Sequence, residues 1–167
     1  MKNRVPLLII LIFPILICWM AWYIWYIPVT TIYLVRHAER LNDTDTTSIS
    51  EIGIRRARVL ARVLSSSNVN RIYVSEKSRT LQTAEPTSDQ YKITPMQITA
   101  SDITRYVDSI KAHRGDVILI VGHSDTVPKI IGKLGIADPP AIDRTAFDDL
   151  FVVVMFRYRS VLLRLRY

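Results

Sequence analysis

Cysteine occurs once in the 167 residues, at Cys18, so an internal disulfide framework and a cysteine-rich zinc site are both excluded. That count leaves the redox compartment unread. Glycine is sparse too, 5 residues beside 8 prolines, which excludes collagen-like and low-complexity chains. A hydrophobic share of 49% with 22% charged residues excludes disorder. Acid is in deficit: 15 Asp+Glu face 22 Lys+Arg, a formal charge of +7. One folded domain is the expectation at this length.

Charge itself is absent from Val5 to Val29, a run of 25 residues that holds all three tryptophans. At about 1.5 Å per residue, about 25 helical residues reach roughly 37 Å, enough to cross a hydrocarbon core of about 30 Å with some tilt. Lys2 and Arg4 precede the run, and Trp19, Trp22, Tyr23, Trp25 and Tyr26 crowd its far end, as amphipathic rings do at a membrane interface. The expectation is an uncleaved single-pass anchor with the N-terminus cytoplasmic and the remainder extracytoplasmic, contacting the lipid bilayer through residues 5–29. A cleaved signal peptide fits less well, because the run is too long and no small-x-small site precedes the folded part. A buried core helix is opposed by Pro14 and by the lack of any polar face.

Residues 1–29 thus read as stub and anchor and residues 30–167 as one compact domain, which carries every acidic residue and all basic ones but Lys2 and Arg4. Short β-rich runs alternate there with helical patterns, the signature of a three-layer α/β sandwich with a mostly parallel central sheet flanked by helices. Strands are expected over Thr31–Val35, Arg71–Val74, Asp116–Val121, Leu150–Phe156 and Ser160–Leu165, with a short one over Lys92–Met96. The first and third lack alternation, as strands buried on both faces do, and the last two read as an edge hairpin. Helices are expected from Ser50 to Leu64, from Ser78 to a stop before Pro86, from Asp102 to Ala112, and from Ser124–Thr126 onward with Pro128 in the first turn. One short turn is expected within Asp143–Asp148.

In open α/β sheets ligands bind beyond the carboxyl ends of strands. The first strand runs into Arg36-His37, the third into Gly122-His123-Ser124, and the second is followed by Arg79 near a helix start. Two imidazoles and two guanidiniums at one rim repel one another unless an anion sits among them, and helix N-termini there favour that anion. The reading is a phosphate pocket.

At these residues the chain resembles the histidine phosphatase superfamily, the phosphoglycerate mutase-like group, along the whole of residues 30–167. Leu34-Val35-Arg36-His37-Ala38-Glu39 is similar to its Arg-His signature, and Ile49-Ser50-Glu51-Ile52-Gly53 to its hydrophobic-Ser/Thr-x-x-Gly helix start. Ser75-Glu76-Lys77-Ser78-Arg79-Thr80-Leu81-Gln82-Thr83-Ala84 resembles its Ser-x-x-x-Arg-Thr-x-x-Thr-Ala segment, and Val121-Gly122-His123-Ser124 its Gly-His motif. The resemblance implies the family fold and phosphoryl transfer, with His37 as nucleophile and Arg36, Arg79 and His123 holding phosphate.

Chemically, a neutral His37 would attack phosphorus and form a phosphohistidine that water hydrolyses, splitting one displacement into two. Its other ring nitrogen is expected to donate to a backbone carbonyl. Arg36 and Arg79 would stabilise the transition state without a metal or other cofactor. Glu39 and Asp125, each two residues past a pocket histidine, are alternative proton donors, with Asp102 a distant third. The stretch between Thr83 and Gly115 is short, so an open cleft and a bulky phosphorylated substrate are expected. Arg55, Arg58 and Arg62 read as a solvated helix face. The second reading is a catalytically weak, membrane-tethered phosphate-binding module. Nucleic acid is not an expected partner, since no basic-aromatic surface motif is present.

Overall fold

The computed structural model describes residues 7–25, 29–42, 44 and 46–167. Strand β1, Thr30–Arg36, lies inside a six-stranded sheet because both of its faces are apolar: Ile32 and Leu34 enter one core, Tyr33 and Val35 the other. It pairs in parallel with β4, Val117–Gly122, and antiparallel with β5, Asp149–Met155. Strand β2, Arg71–Val74, joins β4 in parallel and carries β3, Met96–Gln97, at its outer side; β6, Ser160–Arg166, closes the other edge against β5. The order is β3-β2-β4-β1-β5-β6. The expected α/β sheet and its edge hairpin are present, and the sheet is mixed, four parallel strands followed by the antiparallel pair.

Helices cover both faces. On one, α4 (Ile103–Ala112) and α5 (Thr126–Lys133) bring Tyr106, Ile110, Val127 and Ile130 onto Ile32, Ile118, Ile120 and Phe151. On the other, α2 (Glu51–Val63) and α3 (Ser78–Tyr91) cover Val35, Val74, Leu119 and Val121 with Leu60 and Ala84. Ser50 caps α2 by accepting the Gly53 N–H at 3.2 Å, and Asp102 caps α4 by accepting that of Arg105 at 3.0 Å.

Two local expectations are corrected. Helix α3 does not stop before Pro86 but continues to Tyr91, because its last turn is anchored despite the missing proline N–H: Thr87 is buried, Tyr91 Oη donates to the Leu64 carbonyl, and Ser88 Oγ donates to that of Ile93. The residues given to a strand over 92–96 are spent ending that helix, with Lys92 left-handed at φ 56°, so β3 begins only at Met96. The short turn expected within residues 143–148 is present at 144–145, where the Asp143 carboxylate accepts the Thr145 N–H at 2.7 Å and the carbonyls of Asp143, Arg144 and Ala146 turn to Arg36.

The apolar run folds as helix α1, Leu7–Trp25, with Pro14 inside it. At about 1.5 Å per residue it is about 28 Å long, just short of a hydrocarbon core of about 30 Å. Among the described residues no helix is long and apolar enough to cross a membrane, so the expected transmembrane helix is not borne out by the fold. Residues 5, 6 and 26–28 of the expected span lie outside the described residues.

Gly53 sits where the first turn of α2 presses on the loop after β1. The Ser50 N–H donates to the Glu39 carbonyl at 2.8 Å, and a Cβ on Gly53 would stand 2.4 Å from that same oxygen. Neither partner is a flexible side-chain end. Gly53→Ala is therefore expected to cost about 1–3 kcal/mol through backbone displacement, read as a lower midpoint in denaturant unfolding.

Candidate active site

His37 leaves the carboxyl end of β1 with its N–H donated to the Gly122 carbonyl at 2.9 Å, which holds it beside the end of β4. Its side chain is 3% exposed. Nδ1 lies 2.8 Å from the Ala38 carbonyl, an atom that only accepts, so Nδ1 carries the proton and Nε2 keeps its lone pair. Burial, opposed by that hydrogen bond and reinforced by His123, Arg36 and Arg79, pushes the His37 pKa down to about 3. The ring is neutral at pH 7.

His123 follows the end of β4, its ring centroid 5.3 Å from that of His37 with the planes at 64°. Its Nε2 lies 2.9 Å from Ser75 Oγ, which also accepts the Lys77 N–H at 3.2 Å. Burial, followed by the Arg79 charge, lowers its pKa too. Arg79, in the first turn of α3, is buried and is tied to the His37 loop through Thr83: Thr83 Oγ1 donates to the Arg79 carbonyl at 2.7 Å and accepts the Ala38 N–H at 3.0 Å.

Arg36 is 5% exposed, and its guanidinium is fixed from the 143–147 segment. Nη1 donates to the carbonyls of Asp143, Arg144 and Ala146 at 3.2, 2.6 and 3.2 Å, and Cζ stands 4.0 Å over the Phe147 ring. Nε is buried with no hydrogen-bond partner among the described residues. Burial lowers the Arg36 pKa, and Arg40, Arg144 and Arg79 lower it further.

Arg36, His37, Arg79 and His123 all line one cavity of about 380 Å³ that opens to solvent. A larger groove of about 480 Å³ between α2 and α3 contains none of the four. The two expected acids part company. Asp125 lines the cavity, its side chain 71% exposed and 3.9 Å from Lys129. Glu39 does not: its carboxylate takes the Arg56 Nε at 2.8 and 2.9 Å and Nη2 at 2.6 Å. Burial raises the Glu39 pKa and is the largest single influence, but the Arg56 hydrogen bonds, a backbone hydrogen bond and the Arg56 and Arg36 charges together outweigh it and hold the carboxyl below its usual value. Asp102 is occupied as the cap of α4.

Arg40, Lys77 and Arg144 also line the cavity, and sequence reasoning missed all three. Lys77 sits inside a motif already singled out and Arg40 directly follows one, so their proximity was legible. Arg144 lies on a turn remote from every motif and left no signal.

The ends of a mostly parallel α/β sheet gather two imidazoles and two buried guanidiniums around one open cavity, an arrangement that favours an anion. A family model described as "Histidine phosphatase superfamily (branch 1)" matches residues 32–103, taking in three of the four motifs and ending before Gly122-His123. Among solved structures, the protein histidine phosphatase SixA complexed with tungstate is 17% identical, with a TM-score of 0.67 over 81% of this chain and 96% of that one. A phosphoserine phosphatase from Entamoeba histolytica, in complex with 3-phosphoglyceric acid, is 16% identical, with a TM-score of 0.65 over 83% and 97%. A mycobacterial glucosyl-3-phosphoglycerate phosphatase is 12% identical, with a TM-score of 0.63 over 75% and 90%. At these identities the likeness establishes the fold. No curated protein sequence matches the chain. The family model thus likens residues 32–103, less than half of the chain, to the histidine phosphatase superfamily, and these neighbours show the fold.

The neutral His37 has a pH signature. An unfolded histidine takes up its proton near 6.5, whereas the folded ring stays neutral down to about 3, so stability falls as pH drops through that window and levels off below it. NMR of the anion-free protein is expected to show His37 as the Nδ1–H tautomer with no titration above pH 4, and His37→Asn is expected to flatten the slope of stability between pH 6.5 and 3. Titration of His37 near 6.5 would contradict this.

Proposed function

We propose that the chain hydrolyses phosphomonoesters through a phosphohistidine on His37, without a metal. The observation that carries this reading is the His37 Nδ1 contact with the Ala38 carbonyl, which leaves Nε2 as a lone-pair donor in a cavity shared with Arg36, Arg79 and His123. Nε2 attacks phosphorus as the bond to the leaving oxygen breaks, and that oxygen takes a proton from Asp125. Water then attacks the phosphohistidine, giving its proton to the Asp125 carboxylate, and the N–P bond breaks to release phosphate. Arg36 and Arg79 hold the non-bridging oxygens as charge builds on them, and losing one such donor costs on the order of 10²–10³ in rate.

Substrate identity follows from shape. The cavity is open at its rim, so it accepts a phosphate carried on a bulky group, and the neighbours' names span protein phosphohistidine, phosphoserine and a phosphorylated glycoside. A second reading, a phosphate-binding module of weak activity, is favoured by the exposure of Asp125 and its approach to Lys129.

The test is turnover by the full chain, with and without EDTA, beside His37→Ala, with acid-stable and acid-labile ³²P counted after quenching. Acid-labile label on the wild type that disappears in His37→Ala, and turnover indifferent to chelator, are expected. Turnover that survives His37→Ala would overturn the mechanism. Asp125→Asn separates the two readings: as the acid, its loss slows alkyl phosphates on the order of 10²-fold or more and p-nitrophenyl phosphate far less, since nitrophenolate leaves without a proton.

The same proposal includes location: residues 5–29 tether the domain to a bilayer, with the domain extracytoplasmic. In support, every side chain from Ile12 to Met20 is exposed, Phe13 by 64% and Ile15 by 66%, so residues 12–20 of this apolar helix bury no face against the domain. Alkaline carbonate extraction is expected to leave the full chain in the membrane pellet and to release a chain carrying Ile15→Arg with Leu16→Arg. Release of the wild type would remove the tether.

A further inference from the structure

The rim at the amino ends of the strands, away from the cavity, carries a charge of its own. Helix α4 leads into β4 and α5 leaves it, so both run against the strands and both end beside the start of β1. The Gly115 N–H, just past α4, donates to Thr30 Oγ1 at 2.9 Å, and Ser160 Oγ donates to the Leu134 carbonyl, just past α5, at 2.6 Å. The β5–β6 connection closes on the same rim. There the Phe156 N–H donates to the Arg159 carbonyl at 2.9 Å, which puts Arg157 and Tyr158 at the tip of a tight hairpin.

Lys111, Arg114, Lys133, Arg157 and Arg159 therefore share one rim, and among the described residues none of them has a carboxylate within ion-pair distance. Asp116, two residues past Arg114, is already taken by Arg71 and Asn70. The helix dipole accounts for a cation in the last turn, as at Lys111 and Lys133. It does not account for Arg114, Arg157 and Arg159, which lie on connections.

The hairpin tip adds aromatic surface to that charge. Tyr158 is 87% exposed, Arg157 Cζ lies 5.3 Å from its ring centroid, and Arg159 Cζ lies 5.3 Å from that of Phe156, itself 38% exposed. A ring left in water does nothing for the fold, whereas rings among arginines suit the headgroup layer of a bilayer, where cations meet lipid phosphates. The same tip touches the apolar helix. Arg157 Nη2 donates to Tyr23 Oη at 3.4 Å, and Tyr23 stacks on Trp19 with centroids 5.9 Å apart. Resting on the tether reading for what brings this end to a bilayer, we infer that the rim is a docking surface for anionic phospholipid, with Tyr158 seated among the headgroups and the rim cations on their phosphates. The domain then lies with its strands' amino ends on the lipid, and the cavity beyond Arg36 opens away from it.

Vesicle sedimentation tests this on the full chain carrying Ile15→Asp with Leu16→Asp, so that neither insertion of α1 nor an added positive charge accounts for binding. The vesicles are phosphatidylcholine alone, or phosphatidylcholine mixed with phosphatidylglycerol. Binding to the mixed vesicles is expected to be tighter by about tenfold or more at low salt, and to weaken as salt is added. Arg157→Gln with Arg159→Gln, and separately Lys111→Gln with Arg114→Gln, are each expected to weaken it severalfold, as is Tyr158→Ser. Arg55→Gln with Arg58→Gln, which removes an equal charge from the exposed face of α2, leaves it intact. Equal binding to the two kinds of vesicle, or a loss with the α2 pair as large as with the hairpin pair, would overturn the surface. Binding to a DNA duplex that matches the mixed vesicles and ignores Tyr158→Ser removes lipid as its partner. Release of the wild type by carbonate is read separately: it removes the tether, and anionic vesicle binding through the rim then stands without it.

Discussion

Three backbone carbonyls and one aromatic face hold the Arg36 guanidinium at the end of β1, and the rest of the site is organised around that grip. A buried cation costs dearly unless its donors are met. Here Nη1 alone satisfies the carbonyls of Asp143, Arg144 and Ala146, and Phe147 covers the guanidinium plane at 4.0 Å. The clamp comes from a segment more than a hundred residues further along the chain, so the phosphate position is set by the strand topology that brings β5 beside β1. The same Phe147 ring lies 6.1 Å from the His37 ring, which ties the orientation of the imidazole to that of its neighbouring arginine.

Once Arg36 and Arg79 are fixed, the state of His37 follows. Burial is the larger influence and the neighbouring positive charges act in the same direction, so the ring is held neutral without any catalytic base to deprotonate it. The positive field that favours an anion in the cavity also keeps the imidazole neutral. The Ala38 carbonyl then decides which nitrogen has the lone pair. Orientation comes from the adjacent backbone, and the side chains around it are left to face the phosphate.

Legibility in the sequence tracks locality. The central strands were readable because Ile32 to Val35 and Ile118 to Val121 are apolar on both faces, and the Ser50 cap because its partner, Gly53, lies three residues on. The convergence of Arg36, His37, Arg79 and His123 was readable because parallel strands place their carboxyl ends on one rim. What escaped was settled by long-range contacts. Tyr91 reaching the Leu64 carbonyl carries α3 over Pro86, the carbonyls of residues 143–146 close on Arg36, and Arg56, seventeen residues from Glu39, removes one of two equally plausible acids from the cavity. Nothing local in the Glu39 segment distinguishes a paired carboxylate from a catalytic one.

Sheet polarity adds one constraint on what reaches the site. Helix α1 precedes the amino end of β1, and the β5–β6 connection lies at that same end, where Thr30 pairs with Met155. Arg157 of that connection donates to Tyr23 Oη at 3.4 Å and stacks on its ring, joining the hairpin to the last turns of α1. The cavity lies at the opposite end, beyond Arg36, Val74 and Gly122, which the length of β1 sets about 20 Å away at about 3.3 Å per residue. A phosphate at the surface that α1 would occupy is therefore out of reach of His37 by the height of the sheet. The apolar helix and the cavity lie at the two ends of the same strands, so a ligand meets the cavity from the side facing away from that helix.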